Sequence, residues 1–177
     1  NTGARTAARR TGRQLTPPFI HHPAYDALFD TGHRFPMSKF SRIAQILRED
    51  GVVGPEGFHP AAPALESWLE RAHDPGYVQR IVTCTTTPQE DKAIGFTVDE
   101  RVARRSLHAT GGTVIAAQLA LDVGLACNTA GGSHHASRNG GAGFSVFNDV
   151  AVAAATLLAD GDVARILVFD CDVHQGD

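Results

Sequence analysis

Three residues near the carboxyl end of the chain, Asp170, Asp172 and His174, have types and spacing suited to metal chemistry. In an extended strand alternate side chains share one side, so these three face one pocket while Cys171 and Val173 face away. A carboxylate oxygen and an imidazole nitrogen two residues apart both reach one metal ion at about 2 Å. Asp and His ligation without thiolate suits a catalytic zinc better than a structural one. Alternatively the strand runs out into solvent and the aspartates are turn formers. A second cluster holds His134 and His135, in the run GGSHHA. Adjacent histidines in a glycine loop serve as metal ligands, as general base and acid, or merely as polar loop residues. Proton transfer needs hydrogen-bond reach of the attacking water and the leaving group. A carboxylate behind each imidazole fixes its tautomer and basicity, and Asp170 and Asp177 are available for that.

The elements that must bring the two clusters together follow from pattern. A short strand is expected at 19–22. A helix follows Ser38 as N-cap, with Phe40, Ile43, Ile46 and Leu47 on one face and Gly51 as its stop. Residues 54–63, rich in Gly and Pro, read as a loop. Helices are expected at about 63–72 and 77–82, then a polar loop over 85–97. A long helix spans 99–123 and ends at Gly124. It carries Gly111-Gly112, each costing roughly 1 kcal/mol against Ala, as small residues do where another backbone packs closely. A buried strand at 125–128, a polar glycine loop at 130–144, a helix at 146–159 and a turn at 160–162 lead to 163–172 (VARILVFDCD), the strongest strand pattern in the chain. Strand, glycine loop, helix, strand is the rhythm of an α/β protein with a mainly parallel sheet. Ligands bind beyond the carboxyl ends of such strands, where the clusters 130–149 and 170–177 both fall.

Composition sets outer bounds. The 177 residues, 42% hydrophobic and 20% charged, suit one globular domain or a large part of one. A net charge of −3 argues against a broad nucleic-acid binder. No run of about 18 apolar residues marks a membrane span. The 3 cysteines, Cys84, Cys127 and Cys171, form no CxxC pair, which fits a reducing, cytoplasmic setting without disulfides. Residues 1–16 hold four arginines, Arg5, Arg9, Arg10 and Arg13, and no acid. They read as a disordered basic tail or the remnant of an organellar transit peptide. The chain starts at Asn1 and stops at Asp177, directly after a rich motif, so an N-terminal fragment that is inactive by itself is expected. Ureohydrolases hold two manganese ions with an Asp-x-His-x-Asp pattern. Here Gly176 stands where the second carboxylate would, which points to a mononuclear site.

GGSHHA (131–136), GFSVFND (143–149) and DCDVHQGD (170–177) resemble, in order and separation, the active-site blocks of the histone deacetylase superfamily. GHRFPMSKF (32–40) and HDPGYV (73–78) resemble its upstream blocks, so the likeness covers residues 17–177. Gln175 and the HRFPM run are similar to class IV and related bacterial deacetylases. The resemblance implies a three-layer α/β/α arginase/deacetylase fold, cut after the strand that carries the first zinc ligands. It implies one Zn2+ held by Asp172 and His174, with His134 and His135 as general base and acid. Asp170 would back His134 and help bind K+, and Asp177 would back His135. Phe144 would line an acyl-lysine tunnel, and Gly143 would offer its carbonyl to the substrate amide. The third ligand, an Asp, and the oxyanion tyrosine have no match in this chain. Pro75 falls where many members have a rim Asp, with Asp74 one residue off. The implied reaction is removal of acetyl or other acyl groups from lysines of histones or other proteins. The alternatives are deacetylation of acetylpolyamines or other small amides, and a pseudoenzyme or incomplete fragment acting as a binding module. No nucleic-acid or membrane partner is expected.

Overall fold

The computed structural model describes residues 16–176. The basic tail at 1–15 and the carboxylate of Asp177 lie outside the described residues. Strand β1 (Phe19–His21) runs between β2 (His59–Pro60) and β3 (Cys127–Asn128), and all three are parallel. Ile20 stands opposite His59 on one side and Asn128 on the other. β2 lies inside the segment expected to be loop, and two residues are too few to print a period-2 pattern.

The described residues form six α-helices besides this sheet: α1 (Lys39–Glu49), α2 (Glu66–Ala72), α3 (Pro75–Val82), α4 (Pro88–Ile94), α5 (Glu100–Val123) and α6 (Asp149–Ala159). α5 has both expected punctuation marks. Asp99 accepts from the Val102 N–H at its start, and Gly124 closes it at φ 90°. It packs on β1, β3 and α6. Gly111 abuts the backbone of Ala62 and Ala64, and Gly112 abuts the Tyr25 hydroxyl, so a methyl group at either would overlap its neighbour. The glycine pair therefore does permit close approach. α2 is tied to α6 by Arg71, which donates to the Thr156 carbonyl at 3.0 Å and to Asp160 at 2.8 Å. Ile20, Tyr25, Leu69, Ile81, Val114 and Val152 are fully buried between these layers. None of the helices among the described residues is long and apolar enough to cross a membrane.

Three expectations change. Residues 85–97 are not all loop: α4 starts at Thr87, whose hydroxyl and Glu90 form a reciprocal capping box before Pro88 at the first turn, and Gly95 ends it at φ 103°. α1 buries Phe40 and Ala44, whereas Ile43 and Ile46 are exposed. The buried face runs instead through Phe40, Ala44 and the half-buried Leu47, one helical turn apart. Residues 163–172 form no strand. They make no ladder hydrogen bonds among the described residues, and Leu167 and Phe169 are 91% and 86% exposed. β-propensity describes fitness for a half-buried pleated surface, and no neighbour covers this segment among the described residues.

Candidate active site

The loop 129–148 springs from the carboxyl end of β3, and its shape is set by buried polar groups beneath it. Asn128 accepts from the Tyr25 hydroxyl at 2.8 Å and donates to Thr113 at 2.9 Å. Asp149 is fully buried and accepts from the Thr113 hydroxyl (2.5 Å), the Gly132 N–H (3.1 Å) and the Ser133 N–H (2.7 Å). Burial pushes its carboxyl upward, and those three donors pull it back. Asp149 thus holds the backbone immediately before His134.

A second clamp comes from the α2–α3 junction. His73 Nε2 accepts from the Asn148 N–H at 3.0 Å, which leaves Nδ1 to donate to the Ser137 carbonyl at 2.9 Å. One neutral imidazole therefore pins both ends of the segment 137–148. Burial pushes its pKa down, in keeping with that neutral state. The Asp74 N–H donates to the Arg138 carbonyl at 2.8 Å, and the Tyr77 hydroxyl donates to the Val146 carbonyl at 2.7 Å. Sequence reasoning passed over both Asp149 and His73. For Asp149 the available signal was an acid set between the apolar pairs Val146-Phe147 and Val150-Ala151; His73, between Ala72 and Asp74, carries no such signal.

Above these clamps the two expected clusters meet. His134 Nδ1 lies 2.6 Å from Asp170 Oδ2, and the rings of His134 and His135 are 4.3 Å apart. His135 stands 5.8 Å from His174, ring to ring. His174 Nδ1 lies 2.9 Å from Asp172 Oδ1, and that oxygen is 4.0 Å from His134 Nε2. Hydrogen bonding to His134 holds the Asp170 carboxyl below its ordinary range, and the His174 backbone N–H and then its ring do the same for Asp172. The strand alternation expected for these residues is absent, and turns take its place. Asp170 accepts from the Asp172 N–H, and Asp172 accepts from the His174 N–H. The aspartates are turn formers and, in the same pose, converge on the histidines. Gly176 lies against His134, 3.5 Å from where a Cβ would stand.

Gly143 and Phe144 sit beside His135 at positive φ, 53° and 68°. At Gly143 a Cβ would run into the His135 ring, so only glycine fits. The Phe144 N–H donates to the Ile94 carbonyl at 2.7 Å, and its ring packs on Gly95, Phe96 and Phe35. Asp74 is engaged in capping α3 through the Tyr77 N–H. A cavity of about 540 Å³ lies at the opposite ends of the strands around Pro18, Phe58 and Leu125, away from these groups.

Asp172 Oδ1 and His174 Nδ1, 2.9 Å apart, are at a separation that two ligands of one ion at about 2 Å adopt. No group of three His, Cys, Asp or Glu able to hold a metal occurs among the described residues. Among the described residues Asp172 and His174 are thus a pair of adjacent donors and not a complete ligand set.

The sequence profile of the histone deacetylase domain matches residues 33–177. An uncharacterized protein of Picosynechococcus sp. is 46% identical over 160 residues, covering 90% of this chain and 53% of that protein. Histone deacetylase 2 of Arabidopsis thaliana is 27% identical over 166 residues, covering 89% and 43%. The crystal structure of the HDA15 HD domain shares the fold with a TM-score of 0.65 at 18% identity, over 84% of this chain and 44% of that one. The chain spans about half the length of the curated relatives it matches.

Proposed function

The chain belongs to the histone deacetylase domain family, and on that premise we propose that its loop and carboxyl-terminal clusters form part of a zinc-dependent site that hydrolyses acyl-lysine amides. The observation that carries the proposal is the pair of dyads, Asp170–His134 at 2.6 Å beside Asp172–His174 at 2.9 Å. Asp172 and His174 would hold the ion. Bound there, zinc supplies a Lewis acid that polarises the acyl carbonyl and brings the pKa of a water from about 16 toward about 7.

The remaining chemistry falls to this chain's side chains. Asp170 keeps a proton on His134 Nδ1, so Nε2 offers its lone pair as general base to the attacking water. His135, one residue on, protonates the leaving lysine Nζ. Asp177 would stand behind it as Asp170 stands behind His134. Asp170 would also contribute to a potassium site. Phe144 would form a wall of the acyl channel, and Gly143 would accept from the substrate amide.

A fluorogenic acetyl-lysine peptide tests this in the full-length protein. His134→Ala and His135→Ala should each lower kcat by about 100-fold or more, the range for loss of a general acid or base. Wild-type turnover in both variants would overturn the proposal. Pro75 at the rim position favours, as a second reading, a small acyl amine such as acetylspermidine over a peptide. Comparing kcat/KM on the two substrates decides between them.

A further inference from the structure

One wall of the site is a band of aromatic rings faced by cations that have no carboxylate partner. Phe40 and Phe35 are 6.2 Å apart, Phe35 and Phe144 5.1 Å, and Phe144 and Phe96 6.0 Å, centroid to centroid. The Arg34 guanidinium lies 5.1 Å from the Phe144 centroid. The Lys39 ammonium lies 4.4 Å from Phe35 and 5.2 Å from Phe40. Arg105 lies 4.8 Å from Phe40 and 6.0 Å from Phe35. None of the three forms an ion pair within 4.0 Å among the described residues. Two carboxylates act on these cations from beyond ion-pair distance: Asp172 on Lys39 and the buried Asp149 on Arg105, while Arg34 has none within 4.0 Å among the described residues.

Arg105 strengthens the case from below. It is 3% exposed, and its buried Nε has no hydrogen-bond partner. Partial burial and then the charge of Arg105 disfavour the protonated form of Lys39, while Asp172 favours it. Lys39 therefore lies in the field of both the buried arginine and the candidate metal ligand. Arg34 and Lys39 are exposed beside the aromatic wall, and like charges gathered there raise the local concentration of the opposite charge. Arg34, with its planar fork, matches a carboxylate geometrically.

We propose that Arg34 and Lys39 make the mouth of this site selective for acyl-lysine in acidic peptides, over basic peptides and cationic acylpolyamines. The inference rests on the amide-hydrolase reading above and names its substrate class. Histone-like basic tails become poor substrates, and acidic stretches around an acyl-lysine become the recognised feature.

The test uses the full-length protein and one acetyl-lysine core flanked by Asp, by Ser or by Lys, with acetylspermidine as a fourth substrate. The acidic peptide should exceed the basic one in kcat/KM by about tenfold, through KM, and the gap should close as salt rises. Arg34→Glu should reverse the order. Fluorescence anisotropy of the labelled acidic and basic peptides reads binding independently of hydrolysis. Selective, Arg34-dependent binding of the acidic peptide without turnover would support this inference while the hydrolase reading fails. Equal binding and equal kcat/KM for acidic and basic peptides, or a preference for acetylspermidine, would overturn it.

Discussion

Asp149 and His73 matter for what they hold in place. Replacing Asp149 with Ala leaves two backbone N–H groups and a buried hydroxyl without their acceptor, at about 1–3 kcal/mol each when unsatisfied. Asp149→Ala should lower unfolding free energy by about 3 kcal/mol or more, read from urea midpoints; a loss under about 1 kcal/mol would contradict its role. His73 makes a prediction in pH. Its unfolded pKa is near 6.5 and burial lowers the folded value, so below about 6.5 the unfolded chain binds more protons. Its contribution is therefore full above that pH and fades as pH falls through the folded pKa. His21 and His22 are also lowered by burial, so the comparison is with His73→Gln, whose Oε1 can replace the Nε2 acceptor without titrating. The variant should be about 1–2 kcal/mol less stable near neutral pH, with the gap narrowing toward acid. A gap that widens on acidification would refute the tautomer assigned to His73.

Among the elements, legibility followed how local each cause is. α5 was plain because Asp99, Gly124 and its apolar periodicity act within the helix itself. α4 was legible too, in Thr87, Pro88 and Glu90, but its polar sequence masked the capping signature. The segment 163–172 misled because an apolar, β-branched run states a need for cover and cannot supply the neighbour. The dyads at the site were legible from residue type, since Asp and His in glycine-rich loops have few structural uses. Their turn geometry was not, because it depends on hydrogen bonds from the backbone two residues on. Gly111 tests the packing of α5: Gly111→Ala improves helix propensity by about 1 kcal/mol yet drives a methyl into the Ala62 carbonyl. A net loss of about 1–3 kcal/mol is expected from thermal or urea unfolding. A gain in stability would mean that the close approach is absent in solution.

At the scale of the molecule, a small parallel sheet carries one long helix on its face and projects a polar loop from the end of β3. Clamps from α2, α3 and α5 lock that loop, and the Asp170–His174 segment closes onto it. Family membership and fold agree with this architecture. The central claim is that Asp172 and His174 hold the ion used by His134 and His135. The most direct test is zinc content and acetyl-lysine turnover, measured together in the full-length protein and in Asp172→Ala. One zinc per chain with turnover in the wild type, and loss of both in the variant, is the predicted result. A variant that keeps its zinc and its activity would contradict the account.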